Sequence, residues 1–226
     1  MDYLNFPKWN QLNGNLIYFL GMDDLNKCDT KIIQHFLSYP YPISYKLNSR
    51  GFRDEEWPTD TSNVIWCVGD SFTKGIGIPY EHTWPQILQH KSGKRCINLG
   101  FDGASNELIS KVCLQIIKEH NPKTIIPMWS FFHRRHEDPW LMKQHDKDLN
   151  PLNDFAVFLK CYKEINNSDS LYKIVNLLIP NQKVLYELPQ DVNFFQTSLL
   201  DTGRDDYHFD YKTAEIYVEH ILSKIS

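Results

Sequence analysis

The sequence predicts an α/β fold: a three-layer α/β/α sandwich around a central parallel sheet. Short runs of apolar and β-branched residues alternate with longer segments of helical periodicity, an order typical of βαβ units with right-handed crossovers. The first run, residues 64–68, is apolar throughout, as expected for a parallel strand that helices cover on both faces.

The elements follow in order along the chain. An N-terminal extension, residues 1–60, has helical character at 30–37 and a proline-interrupted stretch at 39–42 that must be extended or turned. We expect it to pack as a flap on a main domain, residues 61–226. The elements predicted in that domain are a strand at 64–68, a helix at 83–90, a strand at 95–98, a helix at 107–119, a strand at 125–129, an irregular loop at 130–151, helices at 152–165 and 169–179, a strand at 183–188 and a C-terminal amphipathic helix.

Composition limits the classes of function. The chain has 226 residues, 42% of them hydrophobic and 23% charged, which is typical of one globular domain. A net charge of −4 argues against a nucleic-acid partner, which requires a basic surface. The run at 16–20 is too short to span a membrane, and no signal peptide is recognisable, so we expect a cytoplasmic protein without a membrane partner. Five cysteines without paired spacing predict reduced, buried thiols.

Gly69, Asp70 and Ser71 follow the first predicted strand. In open parallel α/β sheets, ligands bind in the crevice beyond the carboxyl ends of the strands. A serine that begins the next helix also has a backbone N–H without an intrahelical partner, which can bind an oxyanion. The alternative interpretation is an ordinary Asp-Ser helix cap.

Asp205 and His208 lie shortly before the C-terminal amphipathic segment. A serine becomes a good nucleophile when a base takes its proton, and that base works best when a carboxylate fixes its tautomer. An Asp-x-x-His loop can supply both groups, with His208 facing Ser71 and Asp205 holding the other ring nitrogen. Asp206 is nearer to the histidine in sequence and stays open as its partner, and a solvated acidic loop is the non-catalytic alternative.

A second connection from a strand to a helix runs from Cys96 to Asn106. Glycine in this turn permits positive φ and close approach of the backbone, so the N–H of Gly103 can point at a substrate oxygen. By itself, this segment is a common strand–loop–helix connection.

Taken together and in order, these three segments resemble the SGNH (GDSL-type) hydrolase family over roughly residues 60–224. Residues 69–71 match its first block, 98–103 its second and 205–208 its last. The resemblance implies an SGNH/flavodoxin-like fold, a catalytic triad of Ser71, His208 and Asp205, and Gly103 as the glycine of the oxyanion hole.

Upstream, residues 48–53 read Asn-Ser-Arg-Gly-Phe-Arg. They look like the lead-in of family members related to carbohydrate O-acyl esterases and O-acetyltransferases. A structural role, with Phe52 anchoring the chain and Arg53 capping or pairing, is equally open.

The chain departs from the family at the third block, which normally reads Gly-x-Asn-Asp and whose Asn donates to the oxyanion. Phe132 stands at the position of that Asn, and a phenyl ring cannot donate a hydrogen bond. Either the hole consists of the Ser71 and Gly103 N–H groups alone, or Ser130 or a nearby polar group substitutes. Loss of one such donor costs on the order of 10²–10³ in turnover.

The predicted loop at 130–151 holds further candidates for binding. Arg134 and Arg135 can bind an anionic or polyhydroxylated substrate, because guanidinium groups match carboxylates, although a solvated basic loop is the alternative. We also expect Asp70 and Trp129 to contact substrate, and the aromatic residues Phe131, Phe132 and Trp140 can stack on sugar rings or belong to the core. No metal is predicted, because these residues of metal-ligating type lack the spacing of a zinc site: His133, His136, Glu137, Asp138 and His145.

These observations favour a serine hydrolase of ester bonds, an O-acyl (acetyl) esterase acting on a small-molecule or glycan ester. This chemistry needs no cofactor. The nearest alternative is an O-acyltransferase, since a sugar hydroxyl can capture the same acyl-enzyme in place of water. A non-catalytic glycan-binding or structural protein on the same scaffold is the alternative from another class.

Overall fold

The computed structural model describes residues 2–5, 23, 30, 33–138, 141–144, 150–166 and 171–226. For 136–138 and 141–144 it describes the backbone alone. The predictions for residues 16–20, Cys28, Trp140 and His145, and for the side chains of 136–138, therefore lie outside the described residues. Within these ranges, no helix is both long and apolar enough to span a bilayer.

The elements in chain order are α1 (Ile33–Ser38), β1 (Ile65–Gly69), α2 (Ser71–Lys74), α3 (Trp84–Ser92), β2 (Cys96–Gly100), α4 (Asn106–His120), β3 (Thr124–Trp129), β4 (Arg134–Asp138), β5 (Leu141–Gln144), α5 (Pro151–Asn166), β6 (Lys173–Ile174), β7 (Leu177–Leu178) and α6 (Tyr211–Ile225). One 3₁₀ turn, Tyr80–His82, precedes α3.

The central sheet has five strands, and every pairing in it is parallel. β1 lies between β2 and β3, and β3 also pairs with the two short strands β6 and β7. All residues of β1, β2 and β3 are buried, as expected where both faces of a sheet are covered.

The two hydrophobic cores lie on opposite faces of this sheet, because successive side chains of a strand point to opposite sides. Trp66 and Val68 of β1 pack with α4 and α5, whereas Ile65 and Cys67 pack with α3 and α6. The three layers confirm the predicted α/β/α sandwich. The cysteines of the described residues, Cys67, Cys96, Cys113 and Cys161, are buried free thiols, as predicted.

Three predictions between β3 and α6 were wrong. The predicted irregular loop at 130–151 contains an antiparallel hairpin, β4–β5. The predicted helix at 169–179 is replaced over its described part by β6 and β7, because pairing with the free edge of β3 outweighs local helix propensity. The predicted strand at 183–188 pairs with no strand among the described residues; its alternate residues Val184 and Tyr186 pack instead against the α4–α5 core.

The described part of the extension contacts the main domain through buried side chains. Leu4 and Phe52 belong to the α4–α5 core, and the ring of Phe52 meets that of Phe101 edge-on at 5.2 Å. The division of the chain at residue 60 stays a prediction.

Candidate active site

Ser71 lies at the junction of β1 and α2, beyond the carboxyl edge of the sheet. Asp70 is the N-cap of α2, and its Oδ1 accepts the Phe72 N–H at 3.0 Å. Gly69 has to be glycine, because a Cβ there would lie 2.1 Å from the hydroxyl oxygen of Thr73. The strand can therefore turn into the helix only with a residue that lacks a side chain.

His208 and Asp205 reach Ser71 from the loop before α6. His208 Nε2 lies 2.8 Å from Ser71 Oγ, and His208 Nδ1 lies 2.5 Å from Asp205 Oδ2. Ser71 is 3% exposed, His208 is 5% exposed and Asp205 is 1% exposed, so solvent competes little for these hydrogen bonds. The structure brings together the three residues that the sequence analysis named for proton transfer.

Asp205, and not Asp206, is the carboxylate that contacts the imidazole. Asp205 Oδ1 accepts the backbone N–H groups of Tyr207 and His208 at 3.2 and 3.1 Å, which closes a tight turn. Asp206 adopts a positive φ of 52° in that turn, and its carboxylate accepts the hydroxyl of Thr202 at the surface. The alternative that the sequence left open is thus decided by the turn.

A set of contacts from outside the triad holds Asp205 in place, and sequence reasoning missed them. Gly77, with φ of 75°, lies so close that a Cβ there would be 2.7 Å from Asp205 Oδ1. The hydroxyl of Tyr45 accepts the Gly77 N–H at 2.8 Å, and the N–H of Arg204 donates to the Gly77 carbonyl at 2.6 Å. The guanidinium of Arg204 in turn donates twice to the buried Asp23, at 2.7 and 2.8 Å. In the sequence, the features that could have indicated these contacts are Gly77 and Arg204, which directly precedes Asp205.

The environment of His208 favours its protonated form. Burial lowers the pKa of the imidazole, but the charge of Asp205 and its hydrogen bond, with smaller contributions from Asp70 and Asp102, raise the pKa above its ordinary value. An imidazole of raised pKa is a stronger base toward the Ser71 hydroxyl, provided that the solution pH leaves it neutral.

Two backbone N–H groups at this edge are available to bind an oxygen. Ser71 is the first residue of α2, and Gly103 lies in the turn after β2 with a φ of 61°. Among the described residues, neither N–H has a hydrogen-bond acceptor. Their role in an oxyanion hole is part of the proposal below.

Ser130 cannot serve as the substitute oxyanion donor that the sequence suggested. Its hydroxyl donates to Asp70 Oδ2 at 2.6 Å and accepts from Arg134 Nη1 at 2.8 Å. Its backbone N–H donates to the side chain of Asn106 at 2.8 Å, and the Asn106 amide donates back to the Ser130 carbonyl at 3.2 Å. A hydroxyl has one proton, so both donors of Ser130 are already used.

Two of the four predicted substrate contacts are fully buried and cannot reach a substrate in this structure. Asp70 is 0% exposed and holds Phe72, Ser130 and Arg134. Trp129 is 0% exposed, and its indole N–H donates to Asn176 at 3.0 Å, so it belongs to the core. Arg135, which is partly exposed, pairs with Asp154 and donates to the carbonyl of Phe132 at 2.6 Å; its contact with substrate stays a prediction. Arg134 binds the residue before Ser71, because its Nη1 lies 2.7 Å from Asp70 Oδ2, and its contact with substrate stays a prediction as well.

Phe132, which the sequence resemblance aligns with the SGNH Asn, points away from the site into the α4–α5 core. It is 7% exposed and stacks on Phe158 with ring centroids 4.5 Å apart. In the described part of the 130–151 segment, Phe132 is therefore a packing residue, and the polar groups near Asp70 are those of Ser130 and Arg134.

The second block and the lead-in both serve as supports. The Asn98 amide donates to the Thr73 carbonyl at 2.9 Å, which ties α2 to β2. Arg53 is buried and donates to the carbonyls of Gly75, Ile78 and Ser44 around the loop after α2. The structural role left open for Phe52 and Arg53 is the one observed.

No protein-family model matches the sequence, and no curated protein matches it. Solved structures that match include esterases of the SGNH family. TesA shares 11% identity over 72% of this chain and 98% of its own, with a TM-score of 0.46. AlinE4, an SGNH-hydrolase family esterase, shares 20% sequence identity over 52% of this chain and 58% of its own, with a TM-score of 0.35. The chain therefore spans little more than half the length of that esterase. A family 3 carbohydrate esterase of Clostridium thermocellum shares 16% sequence identity over 52% of this chain and 61% of its own, with a TM-score of 0.32. Similarities this low carry no argument about activity, which has to come from the site itself.

Proposed function

We propose that this protein is a serine hydrolase that cleaves ester bonds, with Ser71 as nucleophile, His208 as general base and Asp205 as the group that orients the imidazole. The observation that carries the proposal is the unbroken hydrogen-bonded series from Ser71 Oγ through His208 to Asp205, at 2.8 and 2.5 Å. Three buried polar side chains in this order are the arrangement that acyl transfer requires.

The reaction proceeds through an acyl-enzyme. Ser71 Oγ attacks the ester carbonyl while His208 Nε2 takes the hydroxyl proton, and Asp205 stabilises the imidazolium that forms. The N–H groups of Ser71 and Gly103 bind the resulting oxyanion. His208 then protonates the leaving alcohol, and water, activated by the same imidazole, releases the acid and restores Ser71.

The narrower proposal is removal of a small acyl group, such as acetate, from a carbohydrate. It rests on the resemblance of residues 48–53 to the lead-in of carbohydrate O-acyl esterases. Transfer of the acyl group to a sugar acceptor would follow the same steps up to the acyl-enzyme. Analysis of the products formed from an acyl donor with and without an acceptor sugar separates hydrolysis from transfer.

The test is hydrolysis of p-nitrophenyl acetate, together with covalent labelling by a fluorophosphonate, for wild type and Ser71→Ala. We expect Ser71→Ala to lose both activities and to keep the wild-type circular dichroism spectrum. Ser223→Ala, at an exposed serine of α6 that donates to the His220 carbonyl, is the matched control and keeps both activities. Equal hydrolysis by Ser71→Ala would exclude this nucleophile, and an unlabelled wild type that binds glycans would identify a non-catalytic protein.

A further inference from the structure

Arg134 has hydrogen-bond donors that no described residue accepts. Its side chain is 9% exposed, and Nη1 donates to Asp70 Oδ2 at 2.7 Å and to Ser130 Oγ at 2.8 Å. Nε is buried and has no acceptor in the described part of the chain. Nη2 has no acceptor among the described residues and is not enclosed by them, so it faces open space. An unpaired buried donor such as Nε is costly, whereas Nη2, which faces open space, is available to an oxygen of a ligand.

The guanidinium lies at the same end of α2 as Ser71. Asp70, which binds Nη1, caps that helix through the Phe72 N–H, so Arg134 is two hydrogen bonds away from the helix N-terminus. The guanidinium carbon stacks 4.8 Å from the centre of the Phe131 ring. Phe131 contacts Phe72, whose ring lies 4.7 Å from that of His208.

Electrostatic coupling places the same guanidinium near the two loops that complete the site. Burial raises the pKa of Asp102, next to Gly103, and Lys74, His208 and Arg134 oppose that increase. Burial likewise raises the pKa of Tyr207, next to His208, and the charge of Arg134 lowers it. Arg134 is therefore coupled electrostatically to the residues that adjoin Gly103 and His208.

The charges around Ser71 decide what kind of oxygen Arg134 binds. Three carboxylates act on the charge of His208, and two cations act on the charge of Asp102: the carboxylates are Asp70, Asp102 and Asp205, and the cations are Arg134 and Lys74. With His208 neutral, their formal sum is one negative charge, so a permanently anionic substrate would be repelled. An oxyanion that forms only as His208 becomes protonated meets no net negative charge, because the positive charge of the imidazolium brings the formal sum to zero.

We propose that Arg134 is a further catalytic residue, whose Nη2–H donates to the oxyanion that forms when Ser71 attacks the ester carbonyl. This inference rests on the proposed function. It assigns to Arg134 the task that a side-chain amide has in the third block of the family, from a position two residues beyond Phe132. No bond other than those of the acyl transfer is made or broken.

The experiment compares kcat and KM for p-nitrophenyl acetate in wild type, Arg134→Gln and Arg134→Lys. We expect kcat to fall on the order of 10²–10³ in both variants with KM nearly unchanged, since an oxyanion donor acts in the transition state. Arg134→Lys keeps the ion pair with Asp70 but not the Nη2 donor, so it loses rate without losing melting temperature. A further variant, Arg134→Ala, leaves space for a guanidinium ion. We expect guanidinium, added well below denaturing concentrations, to restore part of its rate.

Ser130→Ala is the matched control, because it removes a contact to the same Asp70 without removing a donor to the oxyanion. We expect its kcat to fall by no more than about tenfold, the equivalent of one hydrogen bond. An equal loss of rate in Ser130→Ala and Arg134→Lys would show that Arg134 only positions Asp70, and would overturn its assignment as an oxyanion donor.

Two other outcomes also overturn it. A rise of KM confined to acidic esters, such as acetylated glucuronic acid compared with acetylated glucose, would make Arg134 a carboxylate-binding residue. Undiminished kcat in Arg134→Lys would exclude it from the oxyanion hole while the proposed function stands. A wild type that is neither active nor labelled would instead refute the proposed function itself.

Discussion

The two sides of Ser71 differ in how completely their polar groups are satisfied. On the imidazole side, Asp205 accepts two backbone N–H groups and the ring of His208, and Gly77 closes the space behind the carboxylate. On the Asp70 side, Asp70 accepts from Phe72, Ser130 and Arg134, but the guanidinium keeps donors for which the described part of the chain offers no acceptor.

The proposed reaction requires different properties of the two sides. For that reaction, the imidazole side has to hold one tautomer in one orientation, and saturated hydrogen bonds fix it. The Asp70 side has to leave room for charge that exists only in the transition state, and donors without an acceptor among the described residues suit that task.

The largest effect is expected on the imidazole side, from Asp205→Asn. The substitution keeps the shape of the side chain but favours the wrong tautomer of His208, so kcat should fall by about 10⁴. The measurement is steady-state hydrolysis of p-nitrophenyl acetate. Asp206→Asn is the control: its carboxylate faces Thr202 at the surface, and asparagine tolerates the positive φ, so activity should stay near that of wild type. A similar loss in both variants would exclude Asp205 as the orienting group.

The next effect concerns stability and comes from Phe132→Asn, in the segment that also holds Ser130 and Arg134. The substitution introduces the amide that the third block of the SGNH family carries. Because Phe132 stacks on Phe158 in the core, we expect the free energy of unfolding to fall by about 3 kcal/mol or more, without a gain in kcat. Urea denaturation measures the first and turnover the second. Leu171→Asn, at a side chain that is 99% exposed, should change stability little. Faster turnover in Phe132→Asn would mean that the proposed oxyanion hole of the wild type lacks a hydrogen-bond donor.

The smallest effect is a shift in pH dependence. Ser71 needs neutral His208, and Asp205 raises the pKa of that imidazole, so the acid limb of kcat/KM should lie above the ordinary histidine value near 6.5. Asp205→Asn removes the main opposing influence and leaves burial, which lowers the pKa, so the His208 titration should move to lower pH. NMR titration of the imidazole measures this without turnover. No shift in Asp205→Asn, or an equal shift in Asp206→Asn, would contradict it.

The parts of the fold that sequence predicted well are those with dense local requirements. β1, β2, β3, α4 and α6 are fixed by apolar runs, caps and glycines that short segments contain. Between β3 and α6, the helix α5 was predicted correctly. The strands β6 and β7 were not predicted, because they have two residues each and exist only through their pairing with β3. Strand pairing over such distances is not encoded in local periodicity.

The sequence by itself determined the fold class and placed Ser71, Gly103, Asp205 and His208 at segment ends that a parallel sheet brings to one edge. Only the tertiary structure decided between Asp205 and Asp206, directed the hydroxyl of Ser130 to Asp70 and buried Trp129 and Phe132. It also left Nη2 of Arg134 without an acceptor among the described residues. Hydrogen-bond partners depend on directions and distances between segments far apart in the chain, and residue types alone do not contain them.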